Sequence, residues 1–429
     1  MVVLAIIPKI KEIKMQGKGT TKSTFFQLFG PIFSPKFENL LQSLEVDKYV
    51  KKLTAYKFVI LIILSQLEEY ACLREISNSL NSKELSNAIE LPSISSSQVS
   101  RKLRSLPLQA AQSLFRDLVL QAGRQMGFPS IMKNIGRLYL IDSSVISLSL
   151  TRYLWASFRK TKSGIKLHLR LRLYEEGSLP DAAVITQAKI ADRTQMDELV
   201  VEEKDAFNVF DRAYVDYKKF DDYCENGIFF ASRLKKSALV EVREEYPVKP
   251  GPFQRDCRVL LGKDGLNKMK NPLRLIETTD TEGKPVIIIT NNFVLSAEEI
   301  GDIYRYRWQI ELFFKWLKQH MRVKHFYGYS EQAVELQLYI ALITYCLLVM
   351  IQRKTGYEGP LLTVKRLLNT TCLYEPFASF VLKLHHKPKR SSRGRRRTNH
   401  EQIYEETVRQ VMAGEADHLD DLTYDPVIL

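Results

Sequence analysis

The spacing of apolar residues changes character along the chain. From about residue 23 to 130 they recur at three-and-four intervals with few strand-like runs, which predicts an α-helical N-terminal domain. Two short helices stand out there, Cys72 to Leu80 and Ser97 to Leu106, with Ser95, Ser96 and Ser97 as candidate N-caps for the second. From Gly136 onward the pattern is different. Arg137 to Ser144, Lys166 to Leu173 and Ala183 to Ile190 are apolar runs or alternations bounded by polar turns, and read as strands. They are followed by a helix from about Gln195 to Phe207, a strand Asn208 to Asp211, a helix near 216–225 and a strand Ile228 to Ser232. Strands first and helices interleaved later predict a mixed α/β sheet. Residues 238–294 are again β-rich and interrupt this unit as an insertion; helices return near Ser296 and continue to about 380.

Two apolar runs bear on membrane insertion. Phe58 to Leu64 and Leu338 to Ile351 are both shorter than the ~20 residues a bilayer span needs, so both read as buried core helices. Met1 to Ile7 is apolar but has neither a basic flank nor a cleavage site, and no signal peptide is expected. A chain of 429 residues exceeds one ordinary core. The expected divisions are a flexible N-terminus at 1–22, a helical domain at 23–130, an α/β domain at 135–350 with its insertion at about 238–294, and a C-terminal region at 351–429. Within the last, Lys383 to Arg397 holds eight Lys and Arg residues, a phosphate-seeking tail, and 401–425 turns acidic.

Charge narrows the partners. Lys plus Arg number 63 against 49 Asp plus Glu, a net charge of +14, which favours a polyanion such as nucleic acid or an anionic membrane surface. The piece Gln98 to Leu106 carries Arg101, Lys102 and Arg104 and is a candidate DNA-recognition helix; a basic surface helix is the other reading, which the long linker ahead of it favours. Five cysteines without CxxC pairing or zinc-finger spacing argue against disulfides and structural zinc, and fit a reducing cytoplasm.

The chemistry concentrates in residues 302–320. Placed on one helix, Tyr304, Arg307, Glu311 and Lys318 form a narrow stripe, while Ile310, Phe313, Trp316 and Leu317 form the opposite, core-facing side. Arg307 can engage phosphate through two N–H groups, and Lys318 adds a point charge two turns on. A glutamate between them would repel DNA unless a cation intervened, and a cation needs more carboxylates. Two stand upstream: Asp142 after the apolar run Leu138 to Ile141, and Asp211 after Asn208 to Phe210. Singly, each also fits a turn former or a helix cap. Together with Glu311 they suit hard ions such as Mg²⁺ or Mn²⁺. Two such ions can activate a water or 3′-hydroxyl and stabilise the leaving oxygen. Asp192 and Asp197 are nearby alternatives, set aside because Asp211 terminates an apolar strand.

The spacing Tyr304-x2-Arg307-x3-Glu311-x6-Lys318 resembles the YREK signature of the bacterial DDE transposases of insertion-sequence family four. The segments FDRAY around Asp211 and LIDSS around Asp142 resemble that family's two aspartate motifs, and KLHLRL and FFASRLKK are similar to family segments. The resemblance covers roughly residues 135–350. It implies a ribonuclease-H-like catalytic core with a β-rich insertion, behind an α-helical N-terminal domain. It implies metal binding and catalysis by Asp142, Asp211 and Glu311, and DNA contacts from Tyr304, Arg307 and Lys318. In some relatives a tryptophan placed like Trp308 stacks on a flipped base; core packing is the other reading. The implied function is metal-dependent cleavage at transposon-end inverted repeats and strand transfer into target DNA, by a homodimer acting on double-stranded DNA in a prokaryotic cytoplasm, at the nucleoid, with no membrane or small-molecule partner. A catalytically inactive DNA-binding relic or regulator, and a structure-selective nuclease with the same core, are the alternatives. Ala213 departs from the family's usual glycine, and would strain the turn if that position needs positive φ.

Overall fold

In the computed structural model, which describes residues 23–126, 136–175, 177–235, 237–248, 253–279, 285–386 and 409, the chain forms two units. One gathers the helices up to Gln125 with the segment from Leu317 to Arg396; the other contains Met126–Trp316. The segment expected to be flexible at 1–22 lies outside the described residues, as does the tail from 387 on apart from Arg409.

The helical unit is organised around Glu331–Thr355, a helix apolar on nearly every side. Such a helix must be surrounded, and it packs against Leu108–Gln125 and Ala55–Leu67. It is long and apolar enough to cross a membrane, but 89% of its apolar window is buried inside the protein. The patterning placed it in the α/β domain; its packing places it with the helices. Ser96–Ser105 begins with a reciprocal capping box between Ser95 and Gln98, which satisfies two otherwise orphaned N–H groups.

The second unit is a mixed sheet. Its strands are β1 (Arg137–Leu148), β2 (Ser157–Arg159), β3 (Lys162–Tyr174), β4 (Gly177–Gln187), β5 (Ala206–Phe210), β6 (Phe229–Arg233), β7 (Val240–Glu245), β8 (Phe253–Leu261), β9 (Leu273–Thr279) and β10 (Pro285–Thr290). The order is β2-β3-β1-β5-β6-β10-β9-β8-β7, with β4 also paired to β3. β1, β3 and β4 form an antiparallel meander, and β5 and β6 then run parallel to β1. Three antiparallel strands followed by two parallel ones on the far side of the first give the ribonuclease-H-like core. The β-rich insertion does not stand apart: β10 pairs antiparallel with β6, so β7–β10 lengthen the same sheet. Its interior is held by Arg274, whose fork meets Asp256 at 2.9 and 2.6 Å with both residues buried.

The helix expected from Gln195 to Phe207 is reduced to a 3-10 turn, Asp192–Gln195, and one α-turn, Met196–Leu199. The reason is Asn208. Its buried amide accepts from the Val201 N–H at 2.9 Å and donates to the Val201 and Phe229 carbonyls at 3.0 and 3.2 Å. A helix would need those Val201 groups for itself. The same bonds fix β5, every residue of which is buried.

Candidate active site

Two parallel strands deliver the aspartates. β1 and β5 pair from Arg137↔Ala206 to Ile141↔Phe210. Asp142 and Asp211 are the next residues, so they stand side by side on strands about 4.8 Å apart. Asp211 remains extended at φ −79, ψ 167, and alternation puts both carboxylates on the face of Leu140 and Val209. Asp142 lies mid-strand, further from the end than the expected strand Arg137 to Ser144 would put it. β1 continues to Leu148 on its hairpin partner β3, and it is β5 that stops, opening the sheet beside Asp142.

The glutamate arrives on a helix, though not on the single helix drawn over 302–320. Ala297–Arg305 ends, Tyr306 and Arg307 form a turn, and Trp308–His320 begins. The N–H groups of Tyr306, Arg307, Gln309 and Ile310 donate three residues back, at 3.0 to 3.2 Å. This tighter winding breaks the 100° projection between Tyr304 and Glu311. One feature of the projection survives it: Ile310, Phe313, Trp316 and Leu317 are all buried. Arg307 and Glu311 remain one turn apart, and their side chains pair at 2.5 Å. Arg307 also reaches to 3.6 Å from Asp142. The two carboxylates are each 18% exposed and the guanidinium 20%.

Charge in this space is unbalanced. Burial raises the Asp142 carboxyl to about 7; Arg307 and the Ser143 N–H pull it down, and Glu311 and Asp211 push it further up. Burial also opposes the charge on Arg307, but Glu311, Tyr304, Asp142 and Asp211 outweigh it and hold the guanidinium well above its ordinary range. Tyr304, its ring centre 6.0 Å from that guanidinium, is pushed up to about 12 chiefly by burial. Its hydroxyl is buried and makes no hydrogen bond among the described residues.

The donor set suits a hard cation: oxygen ligands only, in excess negative charge, one of them made reluctant to ionise chiefly by burial. As the side chains stand, no group of three His, Cys, Asp or Glu among the described residues is close enough to hold an ion. Arg307 takes the position between Asp142 and Glu311.

The sequence model of the family described as "Transposase DDE domain" matches residues 134–347, and that of the domain of unknown function DUF4372 matches 20–85. "Putative transposase y4zB" of Sinorhizobium fredii is 32% identical over 244 residues, covering 56% of this chain and 67% of its own. The chain belongs to the DDE transposases. A probable transposase for insertion sequence element IS5377, from Geobacillus stearothermophilus, is 29% identical over 60% of this chain and 67% of its own. A solved piggyBac transposase synaptic complex with hairpin DNA aligns at TM-score 0.41 and 11% identity, covering 94% of this chain and 87% of that one, a likeness too distant to argue from. As a DDE transposase the chain is an enzyme of DNA transposition, in a family that uses divalent metal.

One residue of this transposase that sequence reasoning set aside belongs to the framework of the site. Asp192 accepts the Ser143 hydroxyl at 2.6 Å, pairs with Lys166 at 3.1 Å and lies 3.5 Å from His168 Nδ1. Ser143 and His168 are cross-strand partners, so this network braces β1 on the face opposite the Asp142 carboxylate. His168 is fully buried, its Nε2 2.9 Å from the Thr186 hydroxyl. Burial, with Lys166 adding and Asp192 opposing, lowers it to about 4, so it is neutral at pH 7. The signal was legible in KLHLRLRL: Lys166, His168, Arg170 and Arg172 alternate with leucines and put four nitrogenous side chains on one strand face. Asp192→Ala should cost about 1–3 kcal/mol by leaving the Ser143 hydroxyl without its acceptor and Lys166 with only the Ile190 carbonyl, 2.9 Å away. Urea unfolding checks this, and a change under ~1 kcal/mol would show that the network carries no weight.

Ala213 imposes no strain. It sits in the 3-10 turn Arg212–Tyr214 and is not among the non-glycine residues with positive φ. Ala213→Gly should therefore leave cleavage unchanged and destabilise by up to about 1 kcal/mol through backbone entropy alone. A several-fold gain in cleavage rate would restore the strain argument.

The remaining DNA-contact candidates separate. Arg101 and Arg104 are exposed on Ser96–Ser105. Lys102 is 8% exposed and donates to Asp47 at 2.7 Å and to the Val46 carbonyl at 3.2 Å, so its charge is spent inside the helical unit and is not offered to DNA. Trp308 and Lys318 are half-buried, at the first residue and in the last turn of Trp308–His320.

Proposed function

We propose that Asp142, Asp211 and Glu311 bind two divalent ions, Mg²⁺ or Mn²⁺, and that the enzyme cuts the terminal inverted repeats of an insertion sequence and joins the freed ends to target DNA. The observation that supports this most is the register Ile141↔Phe210, which stands Asp142 beside Asp211 on the face where Arg307 links Asp142 to Glu311. The chemistry such ions supply is Lewis acidity at the attacking and leaving oxygens. The side chains around them bind and orient. Arg307 presents a planar fork to a phosphate. The Tyr304 hydroxyl, unpartnered among the described residues, is a donor for a DNA oxygen. Lys318 adds charge, Trp308 offers a ring for stacking, and the buried Ile310, Phe313 and Trp316 keep the helix from shifting. Double-stranded DNA is the partner, two copies bring two ends together, and the reaction takes place in the cytoplasm, on nucleoid DNA.

The test is cleavage of DNA carrying the sequences that border the gene, with Mg²⁺, Mn²⁺ or EDTA. Cuts at the repeat borders and joined products should form with either ion and vanish in EDTA. Cleavage in EDTA would remove the ions from the mechanism. Binding without cuts would make the chain a regulator, and cuts without joining would make it a nuclease.

A further inference from the structure

A second feature of the sheet unit is a cleft of about 680 Å³, walled by the start of the helix Tyr217–Asn226, the loop after β6 and the turn between β8 and β9. Five basic side chains line it, Arg193, Lys218, Lys235, Lys268 and Lys270, against two acids, Asp216 and Asp221. Both acids are engaged. Asp216 caps its own helix, accepting the N–H groups of Lys218 and Lys219 at 3.2 and 3.4 Å. Asp221 accepts those of Lys270 and Asn271 at 3.0 and 2.8 Å. Lys268 pairs with Glu241 at 2.6 Å and Asp264 at 2.9 Å. The other four basic residues are exposed and have no carboxylate at ion-pair distance among the described residues.

The wall is built rather than loose. Asp221 clamps the turn onto the helix. Gly262 enters the turn at φ +93, where an added Cβ would lie 2.3 Å from the Asn267 carbonyl oxygen. Four cations outside any ion pair, against two carboxylates, leave the concavity net positive and favour an anion that repeats along its length. The lining adjoins the site along the chain: Val215 comes shortly after Asp211, and Arg193 follows Asp192, which accepts from Ser143 next to Asp142.

We propose that Arg193, Lys218, Lys235 and Lys270 form a phosphate track that holds the backbone of duplex DNA beside the carboxylates, an inference resting on the DNA-cutting role given above. The test is binding of the full chain to a DNA duplex in EDTA across a salt series, read by fluorescence anisotropy. Each lost phosphate contact flattens the slope of log K against log salt by about 0.9. Lys218→Gln should therefore flatten it by about 0.9, and Lys218→Gln with Lys270→Gln by about 1.8. Lys270→Arg should keep the wild-type slope. So should Lys204→Gln, an exposed lysine before β5 at the end of the strand away from Asp211. A wild-type slope in the folded double variant overturns the track. Asp142→Asn separates the two ideas, since it should lose cleavage while keeping the slope. If Asp142→Asn still cuts DNA, the carboxylate assignment fails whatever the slopes show.

Discussion

Asp142→Asn should abolish DNA cleavage and yet raise the melting temperature of the enzyme in EDTA at pH 8. The loss of activity should reach at least ~10³-fold, since one ligand's share of transition-state stabilisation is taken as about 4 kcal/mol. The gain in stability follows from the raised carboxyl, about 7 against an ordinary 3.8, with burial as the main cause and Glu311 and Asp211 adding to it. A carboxyl whose value is raised on folding favours the folded state while protonated. That advantage is complete below the unfolded value and is lost as pH climbs to about 7. Above that, the wild-type protein folds with a buried charge that it resists, and asparagine removes it. The difference in melting temperature between the two proteins should open between pH 4 and 7 and then level off, by about 2–4 °C for each kcal/mol. Mg²⁺ should reverse the order, stabilising the wild type and leaving the variant nearly unmoved. Equal melting curves at pH 8 would show that Asp142 is solvated like a surface acid.

Arg307→Ala should be the more damaging change for the fold. It leaves Asp142 and Glu311 without the cation that reaches both, at 3.6 and 2.5 Å. Stranding buried charge in this way costs about 3–5 kcal/mol, and cleavage should be lost with it. Adding Glu311→Gln should return part of the stability, a coupling that a double-mutant cycle measures. Arg307→Lys keeps the charge without the planar fork, so it should fold better than the alanine variant and still cut poorly. Mg²⁺ should stabilise Arg307→Ala more than it stabilises the wild type, because the ion then meets carboxylates with no internal competitor. No response to Mg²⁺ in that variant would sink the ligand assignment while leaving the ion pair intact.

The residues of the candidate site were legible before any coordinates to unequal degrees. Glu311 and Arg307 were singled out from spacing, and one helical turn does hold them together. The stripe they belonged to was drawn too regular, because winding that tightens at Tyr306 and Arg307 leaves no trace in apolar periodicity. Asp142 and Asp211 were singled out from the apolar runs ahead of them, but their adjacency depends on a parallel register between distant segments. Asp192 was passed over, since a carboxylate in a polar loop looks the same whether it is solvated or holds Ser143 and Lys166. Lys102 misled for the opposite reason: a lysine in a basic helix shows no sign that Asp47 awaits it inside.

By itself the sequence determined the kinds of elements, their approximate order and the residue types able to carry phosphoryl chemistry. Periodicity, capping and short spacings are local, and local geometry follows from neighbours along the chain. Only the tertiary structure decided that β7–β10 extend the same sheet, that Glu331–Thr355 packs with the helices, that Ala213 is unstrained and that one guanidinium reaches both Asp142 and Glu311. Those are matters of register and burial, set by pairing between residues far apart in the chain, and burial is what makes Asp142 resist its own charge.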